Sequence, residues 1–296
     1  MPLLISADEL AGRLDDERAR RTGARTVVLD VRWSLSQPDG APAFRDGHVP
    51  GAVYVDLDHE LADHAARGQG RHPLPSEADF TRAMRSWGIS DGDTVVVMDD
   101  LGNQSAARAW WLLRHAGVGD VRMLDGGLTA WAGAGHPLET GDTEPAPGDA
   151  TARFGSMPVI DADGAAALPL RGVLLDARAA ERYRGEVEPV DPKAGHIPGA
   201  RSAPSAGNLD GEGRFLPAET LRARFAARGV EPGSPVAAYC GSGVTAAHEV
   251  AALAIAGVDA ALYPGSWSQW SNDPDRPVAT GPDAGPTPPP ADAPPR

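Results

Sequence analysis

Three short motifs occur twice in this chain, in the same order. Asp30-Val-Arg32 recurs as Asp176-Ala-Arg178, and Gly47-His-Val-Pro-Gly-Ala52 as Gly195-His-Ile-Pro-Gly-Ala200. Leu124-Asp-Gly-Gly-Leu-Thr-Ala-Trp131 recurs as Tyr263-Pro-Gly-Ser-Trp-Ser-Gln-Trp270. An internal repeat on this scale restricts the chain to two copies of one folding unit, and 296 residues give each copy the length of an ordinary domain. Within each copy, short apolar runs such as Thr94 to Met98 and Val236 to Tyr239 alternate with helical patterns such as 76–87, 105–116 and 245–256. Strands alternating with helices predict an α/β fold, with a central parallel sheet in each domain flanked by helices.

The expected boundaries follow composition. The first domain spans 1–138. Residues 139–157 form a linker, since 139–155 are rich in Pro, Gly, Thr and Asp and lack apolar periodicity. The second domain spans 158–275. Residues 276–296 form a Pro-rich disordered tail, because eight prolines in the last twenty positions cannot pack a core.

Cys240 is the only cysteine. It ends the apolar run Val236-Ala-Ala-Tyr and precedes Gly241-Ser-Gly-Val-Thr245, where a helix begins, so it falls at a strand-to-helix turn. Gly241 and Gly243 let the backbone curl until its amides, with the helix N-terminus, face an anion. A thiolate is such an anion, so Cys240 is the candidate nucleophile, set against the alternative that a lone cysteine is a small buried hydrophobe. Cysteine phosphatases close a similar loop with an arginine that binds phosphate oxygens, whereas this loop ends in Val244-Thr245-Ala246. Phosphate-ester hydrolysis is thereby disfavoured, and a softer substrate such as sulfur fits better. In the first copy Val95-Val-Val-Met-Asp99 aligns with Val236-Ala-Ala-Tyr-Cys240, so Asp99 stands where the thiol stands in the second.

A formal charge of −14 argues against nucleic acid and anionic membrane surfaces as partners. The chain lacks an apolar run of about 20 residues, the length that crosses a bilayer. A single cysteine forms no internal disulfide and the first nine residues lack a signal-peptide pattern, so a cytoplasmic location is expected. His59 and His64 have a spacing that a helix could turn into a metal site, but no third ligand is evident, and neither metal nor cofactor is expected.

The paired His-Val/Ile-Pro-Gly-Ala segments, the Gly-Ser-Trp-Ser-Gln-Trp ending and the Cys240-Gly-Ser-Gly-Val-Thr245 loop resemble two-domain rhodanese-type sulfurtransferases. Among these the loop is most similar to that of 3-mercaptopyruvate sulfurtransferases. The resemblance runs over about residues 5–272 and implies tandem rhodanese-like domains, the first non-catalytic and the second active. It implies ping-pong chemistry, in which Cys240 takes a sulfane sulfur from a small donor, becomes a persulfide and passes the sulfur to a thiol or cyanide. A thioredoxin-like or other dithiol is among the acceptors implied. By the same resemblance Gly241, Ser242, Gly243, Val244 and Thr245 form the sulfur-cradling loop, Asp58, His72 and Ser242 a proton-handling group, and Arg182 the clamp on the donor's acid group. The family commonly carries a second arginine about nine residues further on, but here Val190-Asp191 occupies that region. Arg184 and Lys193 are the substitutes the sequence offers.

Two other functions compete with mercaptopyruvate sulfur transfer. One is thiosulfate:cyanide sulfurtransferase activity. The other is a non-catalytic sulfur-binding or interaction module, since a fold alone does not confer activity.

Overall fold

Short apolar runs form the middle of two parallel sheets. The computed structural model describes residues 2–19 and 25–284. The first half of the chain carries β1 (Leu4–Ile5), α1 (Ala7–Arg18), β2 (Thr26–Asp30), α2 (Ala41–Asp46), β3 (Val53–Tyr54), α3 (Leu57–Glu60), α4 (Glu77–Ser86), β4 (Thr94–Met98), α5 (Ala106–His115), β5 (Asp120–Leu124) and α6 (Gly127–Gly133). The second carries α7 (Ala162–Ala167), β6 (Val173–Asp176), α8 (Ala180–Arg184), β7 (Arg201–Ser202), α9 (Ala218–Ala226), β8 (Val236–Tyr239), α10 (Thr245–Ile255), β9 (Ala261–Leu262) and α11 (Ser266–Trp270). The strand orders are β1-β5-β4-β2-β3 and β7-β6-β8-β9, with every ladder parallel. Matching β2 with β6, β3 with β7, β4 with β8 and β5 with β9 makes the two orders coincide. Even the edge strand β1 has a counterpart, because Val159 bridges to Leu262 on β9 in parallel. The α/β architecture expected from the repeat is therefore the one observed.

Local signals explain the elements. Ser6 and Glu9 close a capping box on α1, with Ser6 N–H donating to Glu9 Oε2 at 2.9 Å and Glu9 N–H to Ser6 Oγ at 3.2 Å. Every residue of β4 and of β8 is buried, as an interior parallel strand covered on both faces requires.

The repeated motifs are paired buried polar groups. Arg32 forks onto Asp30 at 2.7 Å and donates to the Gly47 carbonyl at 2.5 Å, while Arg178 forks onto Asp176 and donates to the Gly195 carbonyl, both at 2.6 Å. His48 stacks on Phe44 at 3.9 Å with Nδ1 2.8 Å from the Phe44 carbonyl. His196 does the same on Tyr183, at 3.7 and 2.7 Å. Trp131 and Trp270 each donate their indole N–H at 2.8 Å, to the carbonyls of Pro137 and Pro277. Each copy keeps these residues because a buried polar group without a partner costs on the order of 1–3 kcal/mol.

The compact units of the structure interleave more than contiguous domains would. One unit comprises the described residues up to Ala65, Leu74–Met157 and Leu209–Phe215, and the other Ala66–Pro73, Pro158–Asn208 and the described residues from Leu216 on. Each half of the chain thus lends a short segment to the unit built mainly from the other half. Residues 139–157 are no free linker either: His48 and Glu139 exchange two backbone hydrogen bonds of 2.9 Å, and Arg153 N–H donates to the Ala116 carbonyl at 2.9 Å. The expected tail begins too early, since Ala279 and His196 exchange backbone bonds of 3.0 and 2.8 Å and Gly281 N–H reaches the Arg184 carbonyl at 2.9 Å. Prolines lack an N–H but keep their carbonyls, and alanines and glycines between them supply the donors. The rest of that expectation, 285–296, lies outside the described residues.

Candidate active site

Cys240 is the first residue after β8, and α10 starts five positions on at Thr245, as the strand-to-turn-to-helix reading requires. The turn is fixed from several sides. Gly243 sits at φ +82°, and a Cβ there would stand 2.4 Å from the Pro264 carbonyl oxygen, so only glycine fits. Its N–H donates to Cys240 Sγ at 3.2 Å. The Cys240 N–H donates to Ser266 Oγ at 3.1 Å, and the carbonyls of Cys240 and Gly241 accept from Trp267 and Ser268 N–H at 2.9 and 2.8 Å. Ser266 holds this place in the left-handed region, at φ 52° and fully buried. The repeated Gly-Ser-Trp-Ser-Gln-Trp stretch is thus the brace of the cysteine loop.

The borrowed segment Ala66–Pro73 brings two further side chains. Arg71 N–H donates to Ser268 Oγ at 2.9 Å, and Gln269 Nε2 donates to the Gly68 carbonyl at 3.0 Å. His72 Nδ1 is then 2.7 Å from Ser242 Oγ, with both residues buried. The preceding residue, Arg71, was not singled out by the sequence. Its Nη2 is 3.3 Å from the position a Gly241 Cβ would take, and Arg182 Nη1 is 3.5 Å from the same point. Two guanidinium groups therefore flank a loop whose own residues carry no charge. Asp191, whose side chain is almost fully buried, accepts from both, at 2.9 Å from Arg71 Nη1 and 3.4 Å from Arg182 Nη2. Glu188 adds a second contact to Arg182 at 2.7 Å.

Val244 is buried at the start of α10, beside Thr245. Asp58 lies on α3 in the unit that holds the first sheet, with its N–H donating to Asp56 Oδ1 at 3.0 Å. Arg184 Nε and Nη2 close a fork on Glu186, both at 2.7 Å. Lys193 is likewise committed, its ammonium donating to the carbonyls of Asp273, Arg276 and Pro274 at 2.7, 3.3 and 3.5 Å. Arg71 escaped notice because nothing in a loop arginine next to a glycine signals partners 120 and 197 residues away.

Asp99, the counterpart of Cys240, fills its own turn with a carboxylate. Its oxygens accept from the N–H groups of Leu101, Asn103, Ser105 and Ala106 at 2.8, 2.7, 2.8 and 3.0 Å. Burial nevertheless pushes its pKa up to about 6, against the pull of these four donors. The first copy of the turn is an anion cradle already occupied by a side chain.

Among the described residues no group of His, Cys, Asp and Glu could hold a metal ion, and no helix is long and apolar enough to cross a membrane.

The rhodanese-like domain family matches residues 6–134 and 162–273. The chain belongs to this family. SseB of Mycobacterium tuberculosis, by name a thiosulfate sulfurtransferase, is 49% identical over 285 residues, covering 94% of this chain and 97% of SseB. A Pseudomonas aeruginosa protein, by name a 3-mercaptopyruvate sulfurtransferase, is 46% identical over 94% of this chain and 98% of its own length. The crystal structure of SseA from Escherichia coli, titled as a 3-mercaptopyruvate sulfotransferase with the rhodanese fold, superposes with a TM-score of 0.78 at 34% identity, covering 90% of this chain and all of SseA. With such relatives along nearly its whole length, this chain is an enzyme, a sulfurtransferase.

Proposed function

We propose that the protein moves a sulfane sulfur from 3-mercaptopyruvate through a Cys240 persulfide to a thiol. The supporting observation is the His72–Ser242 pair, 2.7 Å apart and both buried, with Ser242 in the same loop as Cys240. The Cys240 thiolate attacks the donor sulfur, the carbon–sulfur bond breaks, and its electron pair is left on carbon as the enolate of pyruvate. That enolate needs a proton, whereas sulfite leaving thiosulfate does not. A buried hydroxyl and imidazole are what the first donor needs and the second does not. The persulfide rests in the turn closed by Gly241, Gly243 and Thr245. An acceptor thiolate then attacks its outer sulfur, the sulfur–sulfur bond breaks, and the Cys240 thiolate returns. The acceptor is a small thiol or a thioredoxin-like dithiol protein.

Thiosulfate is the second reading, favoured by the two guanidinium groups beside Gly241, which suit a compact dianion. Comparing kcat/KM for the two donors with one common acceptor separates the readings. A ratio favouring 3-mercaptopyruvate is expected, and a ratio favouring thiosulfate refutes the donor assignment.

A further inference from the structure

Position 191, where a second arginine was sought, is an aspartate, and the structure turns that departure into a device. We infer that Arg71 and Arg182 form one two-pronged anion site for the donor's carboxylate, with Asp191 as the residue that positions both prongs. The inference rests on the proposed use of a carboxylated donor and adds to it the residue that recognises the acid group.

Four observations carry it. Arg71 Nη2 and Arg182 Nη1 converge within 3.5 Å of one point, the Cβ position of Gly241, where glycine leaves room beside the thiol-bearing residue. Among the described residues neither of these two nitrogens carries an ion-pair bond, since Asp191 and Glu188 engage Arg71 Nη1 and Arg182 Nη2. The Nε atoms of both arginines are buried without a hydrogen-bond partner, which leaves donor capacity unspent on each group. Two like charges this close repel, and the buried Asp191 carboxylate, one oxygen to each, offsets that repulsion while fixing the angle between them. A carboxylate is the anion whose two oxygens suit planar guanidinium donors. Arg71 also lines a cleft of about 660 Å³ together with Asp191 and Ser268, so its side chain is reachable by solute.

The test measures binding without turnover, using the full-length protein and two probes of equal length, 3-mercaptopropionate and the uncharged 3-mercaptopropan-1-ol. Calorimetry on the wild type should give tighter binding of the acid than of the alcohol. Arg71→Ala should weaken the acid on the order of ten- to hundred-fold, the worth of a charge-assisted hydrogen-bond pair, and leave the alcohol unchanged. Arg71→Ala combined with Asp191→Arg, which moves the cation to the other side of the site, should recover part of that loss. Arg71→Lys keeps the charge but not the fork and should fall between. Equal binding of both probes by the wild type, unchanged binding of the acid by Arg71→Ala, or an equal loss for both probes would overturn the inference. Because no sulfur moves, a preference for thiosulfate in turnover would not alter these results and would count against the donor assignment alone.

Discussion

His72 Nδ1 stands 2.7 Å from Ser242 Oγ across a sequence separation of 170 residues, with 3% and 6% of the two residues exposed. A pair buried this completely is no solvated surface contact, and it suits the proton step proposed for the donor. Replacing His72 by Ala or Ser242 by Ala should therefore lower kcat with 3-mercaptopyruvate by roughly 10²–10⁴-fold, the usual contribution of a positioned acid or base. With thiosulfate, whose leaving group needs no proton, the same variants should lose much less. Steady-state rates with both donors check this, and an equal loss for the two donors would assign the pair to loop structure.

The strand, the turn and the helix around Cys240 were legible because β8 is a fully buried apolar run and Gly243 must adopt φ +82°. The duplication was legible because each motif residue has an internal partner, Arg32 on Asp30 and Arg178 on Asp176 among them. Arg71 was not, since its role is set by Asp191 and Ser268, far away in sequence. Nor was the exchange of Ala66–Pro73 and Leu209–Phe215 between units, because a polar loop shows no periodicity that reports where it packs. The bonds of Arg184 to Glu186 and of Lys193 to the carbonyls after α11 were equally invisible, because sequence distance does not report such contacts.

Glu249 on α10 is fully buried, its Oε2 accepting from Asn208 Nδ2 at 2.6 Å, and burial raises its pKa from 4.5 to about 7. Between those two values the folded state binds a proton that the unfolded state does not. The associated stability is fully present below pH 4.5 and is lost as pH rises through about 7, amounting to about 3 kcal/mol. Glu249→Gln keeps an acceptor for Asn208 and removes the titration. Urea unfolding at pH 5 and pH 8 should show a smaller difference for the variant than for the wild type, with the gain at pH 8. Identical pH dependence in the two proteins would show that Glu249 does not titrate in this range.

The central claim is that sulfur travels on Cys240, the only thiol in the chain. Intact-protein mass spectrometry after brief exposure to donor, without acceptor, tests it most directly. The wild type should gain one sulfur, about 32 Da, that is removed on adding a thiol, while Cys240→Ser should gain nothing and turn over nothing. Retention of turnover in Cys240→Ser, or an unmodified wild type that still transfers sulfur, would contradict the account.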